Sequence, residues 1–144
     1  MQRISALGLD LGHRRIGVAG CDGTGLIATG ITTIQRTSFA QDVETLRRLV
    51  EQRQVQTLVI GLPYTMDGEL GTQAQRTQKL ALRIGKALNL PIDFVDERLT
   101  SHEAESMMRA QRVNASKHRA LIDRKAAALI LQRWLDQKPW LTVP

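Results

Sequence analysis

Three places along the chain set carboxylates where apolar residues are expected. Asp10 lies inside the apolar run GLDLGHRRIGVA (8–19), between Gly8 and Gly12. Asp96 and Glu97 close the apolar segment IDFVDE. Asp123 shares a helical stripe with Ala127, Ile130 and Trp134, at offsets of 4, 7 and 11 residues. An unpaired carboxylate withdrawn from water costs several kcal/mol, so each of these acids requires compensation.

Taken singly, each acid has a plain solution. Asp10 could pair with Arg14 or Arg15, Asp96 could cap the turn before the next helix, and Asp123 could meet a basic neighbour of Lys125. Taken together, several inward-facing carboxylates are the donor set of a divalent cation. Oxygen donors suit hard ions, Mg²⁺ or Mn²⁺, and the scarcity of His and Cys near these acids disfavours zinc. Two such ions about 3.5–4 Å apart activate a water and stabilise the leaving oxygen of a phosphodiester. The chemistry this predicts is in-line hydrolysis without a covalent enzyme intermediate; Cys21 has no base near it in the sequence.

The elements that would carry these acids follow from the apolar pattern. Segments 3–12, 15–21 and 26–34 read as three strands joined by tight turns, with Asp22-Gly23-Thr24-Gly25 as the second turn. Phe39, Val43, Leu46 and Val50 then mark a helix. Residues 57–63, TLVIGLP, are a continuous apolar run, the mark of a strand buried on both faces. A second helix carries Leu80, Ala81, Ile84 and Leu88, and 92–96 is a fifth strand after Pro91. Thr100-Ser101-His102-Glu103 fits a capping box opening a third helix to about Arg112. Residues 113–117 read as a loop before a last helix from about Arg119 to Asp136. The order predicts a single α/β domain, 1–144, with a five-stranded mixed sheet flanked by helices.

Composition bounds the rest. The chain has 144 residues, 42% of them hydrophobic and 24% charged, and no apolar stretch approaches a membrane span. The N-terminal MQRISALGLD is too short in apolar residues for a signal peptide, and a lone Cys21 suits a reducing compartment. A cytoplasmic protein without a membrane partner is expected. The net charge of +6 is concentrated: from Ser106 to Lys125 six basic residues face one acid, a net +5. Such a patch fits a polyanion, although a solvated helix face carries the same signature. The five aromatic residues, Phe39, Tyr64, Phe94, Trp134 and Trp140, form no stacking platform. A nucleic acid bound here would be recognised by backbone and shape.

Four stretches, GLDLGHRRIGVA, VIGLPYTMDGELG, VDERLTSHEAE and IDRKAAALIL, resemble in order the motifs of the YqgF/RuvX family, over Leu7 to Leu131. Its members are described as Holliday junction resolvases and as pre-16S ribosomal RNA nucleases, on a ribonuclease H-like fold. The resemblance implies strand order 3-2-1-4-5, with three antiparallel strands and two parallel ones. It also implies that Asp10, Glu97 and Asp123 hold the metal; alternation along 92–96 puts Asp96 with Phe94, opposite Val95, which leaves Asp96 an outer candidate. Gly8 and Gly12 would leave room for a phosphate backbone beside Asp10, or else mark a bulge, while Gly17 equally fits close helix–sheet packing. Arg14, Arg15, Arg98, Arg109, Arg112, Lys117, His118, Arg119, Arg124 and Lys125 are the candidate contacts to nucleic acid, with Arg98 also able to bridge to an acid. Two positions depart from the family pattern: His13 replaces a small hydroxyl residue, and Tyr64-Thr65 replaces Leu and a small polar residue.

The leading expectation is therefore a metal-dependent endonuclease acting on structured RNA, as in 5′-end processing of pre-16S rRNA, or on branched DNA. Symmetric resolution of a junction would require a homodimer; processing of RNA is compatible with a monomer. A non-catalytic nucleic-acid-binding module is the rival reading. An actin-like phosphotransferase shares the D-x-G element but uses a second domain of comparable size.

Overall fold

The structure, a computed structural model, describes residues 3–63, 70–96 and 115–137, with side chains in the last segment from Arg119 onward. The expected helix over 100–112, and most of the expected loop over 64–71, fall outside these residues. The strands are β1 (Ala6–Leu11), β2 (Arg15–Cys21), β3 (Ala28–Gln35), β4 (Thr57–Leu62) and β5 (Ile92–Asp96). The described helices are α1 (Phe39–Arg53), α2 (Thr72–Leu88) and α3 (Ala115–Gln137).

The sheet order is β3-β2-β1-β4-β5. β2 runs antiparallel to both β1 and β3, whereas β4 is parallel to β1 and to β5. Local chemistry sets the corners. Asp22 accepts the backbone N–H groups of Leu26 and Ile27 on Oδ1, and Gly25 adopts φ +76°, a left-handed conformation that suits glycine. That turn consumes the start of the strand expected from residue 26: Leu26 and Ile27 are each 61% exposed, and β3 begins at Ala28. Ser38 Oγ accepts from Gln41 N to open α1. Asn89 closes α2 in the left-handed conformation, just before Pro91.

Strand alternation separates two cores. On one face Leu7, Leu9, Ile16, Val18, Leu58 and Ile60 pack against Val43 and Leu46 of α1 and Ile84 and Leu88 of α2. On the other, Ala6, Ala19, Val59 and Val95 pack against Ala127, Ile130, Leu131 and Trp134 of α3. β4 contributes to both, as its unbroken apolar run predicts. α3 begins at Ala115, so residues 115–117 of the expected loop are helical. Among the described residues no helix is long and apolar enough to cross a membrane.

Candidate active site

Asp10 has the strand parity of Ala6 and Gly8, which places it on the α3 face of the sheet. Its cross-strand partner on β2 is Gly17, and Gly17 in turn pairs with Thr33 of β3. One turn of α3 lies directly over this row. A Cβ built on Gly17 would stand 2.0 Å from the carbonyl oxygen of Asp123 and 3.1 Å from its Cβ. The helix can approach so closely only because residue 17 has no side chain. Thr33 Oγ1 donates to the Ala120 carbonyl at 2.6 Å, and Arg124 Nε donates to Thr33 Oγ1 at 3.3 Å. Two acids 113 positions apart in the chain thus come to one patch, Asp10 from the central strand and Asp123 from the helix laid across it.

The glycines of the first motif prove to be packing residues. Space beside Gly8 is filled by α3: a Cβ there would meet Leu131 Cβ at 2.7 Å and the Ala127 carbonyl at 2.8 Å. Gly12 is filled by its own hairpin, with the Arg15 carbonyl 2.6 Å from such a Cβ. Neither leaves the expected room for a phosphate backbone. Gly17 fulfils the helix–sheet packing alternative.

Arg15 shares the parity of Gly17, and its Nε donates to Asp123 Oδ2 at 2.6 Å. Both side chains are partly exposed, at 24% and 18%. Of the pairings open to these acids, this is the one formed by Asp123: its partner lies on β2 rather than beside Lys125. Arg14 and His13 are exposed at the hairpin tip. Arg119 is exposed and Lys125 half-buried on α3. Arg124 is drawn onto β3, with its Cβ against Gly30. Lys117 and His118 lie in α3, their side chains outside the described residues, and Arg98, Arg109, Arg112 and Tyr64 lie outside altogether.

Glu97 also lies outside the described residues, directly after β5. Val95 packs with α3, whereas Phe94 packs with the α1–α2 core. Asp96 has the parity of Phe94 and so belongs to the face opposite Asp10, which counts against it as a ligand. The end of β5 is nevertheless gripped from α3. Arg133 Nη1 donates to the Asp96 carbonyl at 2.8 Å, and Trp134 Nε1 donates to Asp93 Oδ2 at 2.8 Å. Arg36 holds the other side: its Nη1 donates to the Gly12 and His13 carbonyls at 2.8 and 3.3 Å, and its backbone N–H to the Arg14 carbonyl at 2.9 Å. Sequence reasoning singled out none of Thr33, Arg36 and Arg133. Their partners are main-chain carbonyls, which leave no mark in a residue pattern.

Asp10 and Asp123 supply oxygen donors alone, on one face, half-buried rather than sealed. That donor chemistry fits Mg²⁺ or Mn²⁺ and not a thiophilic metal. Among the described residues no group of three His, Cys, Asp or Glu side chains gathers, so a third protein ligand would come from outside them.

A 3-2-1-4-5 sheet whose central-strand acid is covered by the C-terminal helix defines a ribonuclease H-like fold. Thermus thermophilus RuvC in complex with a Holliday junction substrate superposes with a TM-score of 0.55 over 92% of this chain and 93% of that one, at 12% identity. The sequence pattern of the RuvX family, described as Holliday junction resolvase, matches residues 4–137. The chain belongs to the RuvX family. A protein of Acaryochloris marina (strain MBIC 11017), named "Putative pre-16S rRNA nuclease", is 79% identical over 142 residues, 99% of each chain. One of Trichormus variabilis with the same name is 64% identical, covering 92% of this chain and 88% of its own.

Proposed function

We propose that this protein is a metal-dependent endonuclease that hydrolyses phosphodiester bonds of structured nucleic acid, with precursor 16S rRNA as its first candidate substrate and the Holliday junction as the second. The observation that carries the reading is the meeting of Asp10 and Asp123 across Gly17. The names of relatives matched over nearly their whole length support the RNA substrate.

Asp10 and Asp123, with Glu97 as the third ligand, would hold Mg²⁺ or Mn²⁺. When bound, such an ion supplies a water nucleophile at neutral pH and neutralises charge on the scissile phosphate. The protein's own part is positional. Arg133 fixes the end of β5 from which the chain continues to Glu97, and Arg36 fixes the hairpin that presents His13 and Arg14. Arg14, Arg119 and Lys125 face the polyanion from the hairpin and α3, and contacts of this kind set position on the backbone rather than sequence.

The test is cleavage of matched labelled substrates (precursor rRNA, single-stranded RNA, duplex DNA and a four-way junction) with Mg²⁺ or Mn²⁺, beside Asp10→Asn. Metal-dependent cutting by the wild type is expected, lost in Asp10→Asn with binding preserved or tightened by removal of a negative charge. Metal-dependent cleavage by purified Asp10→Asn would refute the assignment, as would tight binding without cutting of any substrate. The preferred substrate separates RNA processing from junction resolution.

A further inference from the structure

Arg15 was expected among the residues that meet nucleic acid, yet its guanidinium is turned inward onto a proposed metal ligand. The contact is close, Nε to Asp123 Oδ2 at 2.6 Å. The backbone that carries it is fixed. The Arg15 carbonyl accepts the Gly12 N–H at 2.9 Å, which closes the hairpin. Its cross-strand partner is Gln35, at the end of β3. The main chain therefore fixes the point from which the Arg15 side chain reaches Asp123, and only that side chain need move for the guanidinium to leave.

A carboxylate oxygen that accepts a charge-assisted N–H bond does not offer the same lone pair to a cation. A guanidinium at that distance also repels a divalent ion entering beside it. Arginine does not escape the conflict by losing its proton. We propose that Arg15 is the internal counter-ion of Asp123 and that a divalent cation must compete with it for the carboxylate. This rests on the assignment of Asp10 and Asp123 as ligands. The pair holds the carboxylate in place and compensated, at the expense of metal affinity, so half-occupancy would require a higher cation concentration.

The experiment is Mn²⁺ titration of the full chain, read by the electron paramagnetic resonance of free Mn²⁺, for the wild type, Arg15→Gln, Arg15→Lys, Asp10→Asn and Asp123→Asn. Removing the guanidinium that competes for this partly exposed carboxylate is expected to tighten binding about tenfold. Arg15→Lys, which keeps the charge, stays near the wild type. Without metal, Arg15→Gln melts at a lower temperature than the wild type, and Mn²⁺ raises its melting temperature by more. If Arg15→Gln is unfolded without metal, Mn²⁺ restores its circular dichroism spectrum, because the cation takes the place of the lost guanidinium. Equal or weaker Mn²⁺ binding by folded Arg15→Gln overturns the inference, as does an unfolded variant that no Mn²⁺ concentration rescues. The two levels separate cleanly. Weakened binding in both aspartate variants with no gain in Arg15→Gln sinks the counter-ion role alone, whereas unchanged binding in the aspartate variants sinks the ligand assignment and this inference with it.

Discussion

Substitution of Gly17 by alanine tests the joint on which the site depends. The added methyl carbon would stand 2.0 Å from the Asp123 carbonyl oxygen and 2.5 Å from its carbon, where ordinary contact begins near 3.4 Å. Both are main-chain atoms, so no rotamer change relieves the overlap. The helix must withdraw by roughly 1 Å, or the sheet must bend by as much. Withdrawal is opposed by the Thr33–Ala120 hydrogen bond and by the seating of Ala127 and Leu131 on Gly8. Overpacking of this kind costs about 1–3 kcal/mol, and the rigidity of both partners places Gly17→Ala at about 3. For a domain of this size that lowers Tm by about 6–12 °C. A displacement of Asp123 on the order of 1 Å lowers metal-dependent cleavage by about a hundredfold. Urea melts followed by circular dichroism and cleavage at saturating metal measure the two effects. Gly23→Ala is the control: the nearest neighbour of its added carbon is Arg3 Cγ at 3.5 Å, and the change is expected to stay within about 0.5 kcal/mol. A Gly17→Ala protein as stable and as active as the Gly23→Ala protein would refute the reasoning.

Three further outcomes are expected. Trp134→Phe leaves the partly buried Asp93 carboxylate without its indole donor and costs about 1–3 kcal/mol in urea melts, whereas an unaltered midpoint would show the bond to be dispensable. Arg36→Met removes the donor to the Gly12 and His13 carbonyls and one partner of buried Asp42, costing about 1–2 kcal/mol; faster amide exchange confined to the hairpin and the start of α1 would locate the loss. Asp22 has its pKa lowered, first by the Thr24 hydroxyl and then by the Ile27 N–H. Its contribution is therefore complete above the ordinary value of 3.8 and disappears as pH falls through the folded pKa. The stability difference between wild type and Asp22→Asn should shrink from pH 5 towards pH 2.5, and a difference that grows on acidification would contradict this sign.

Periodicity alone carried most of the elements. The run 57–63 became the strand buried on both faces, and the stripe from Asp123 to Trp134 became the side of α3 that meets the sheet. Strand order came from the family resemblance, because pairing between distant segments has no local signal. Within the site, Asp10 was legible as an acid out of place, but the purpose of the glycines was not. Residue type says that space exists at positions 8, 12 and 17, and only the assembled chain shows that a helix and a turn fill it. The partner of Asp123 was hidden for a similar reason. Arg15 is 108 residues away, and nothing in its neighbourhood distinguishes it from Arg14, which remains exposed.

The two faces of the sheet leave very different latitude for change. Between the sheet and α1–α2 the contact is made by branched aliphatic side chains, which can exchange volume with their neighbours. Beneath α3 the closest contact at position 17 is helix main chain against sheet, and at position 8 it is the Ala127 carbonyl with Leu131 Cβ, atoms that no rotamer change moves. A lineage, or an engineer, can therefore rebuild the first interface by many small steps while the second permits almost none. The frame beneath α3 would be inherited whole, and diversity in the family should accumulate on the face packed by α1 and α2.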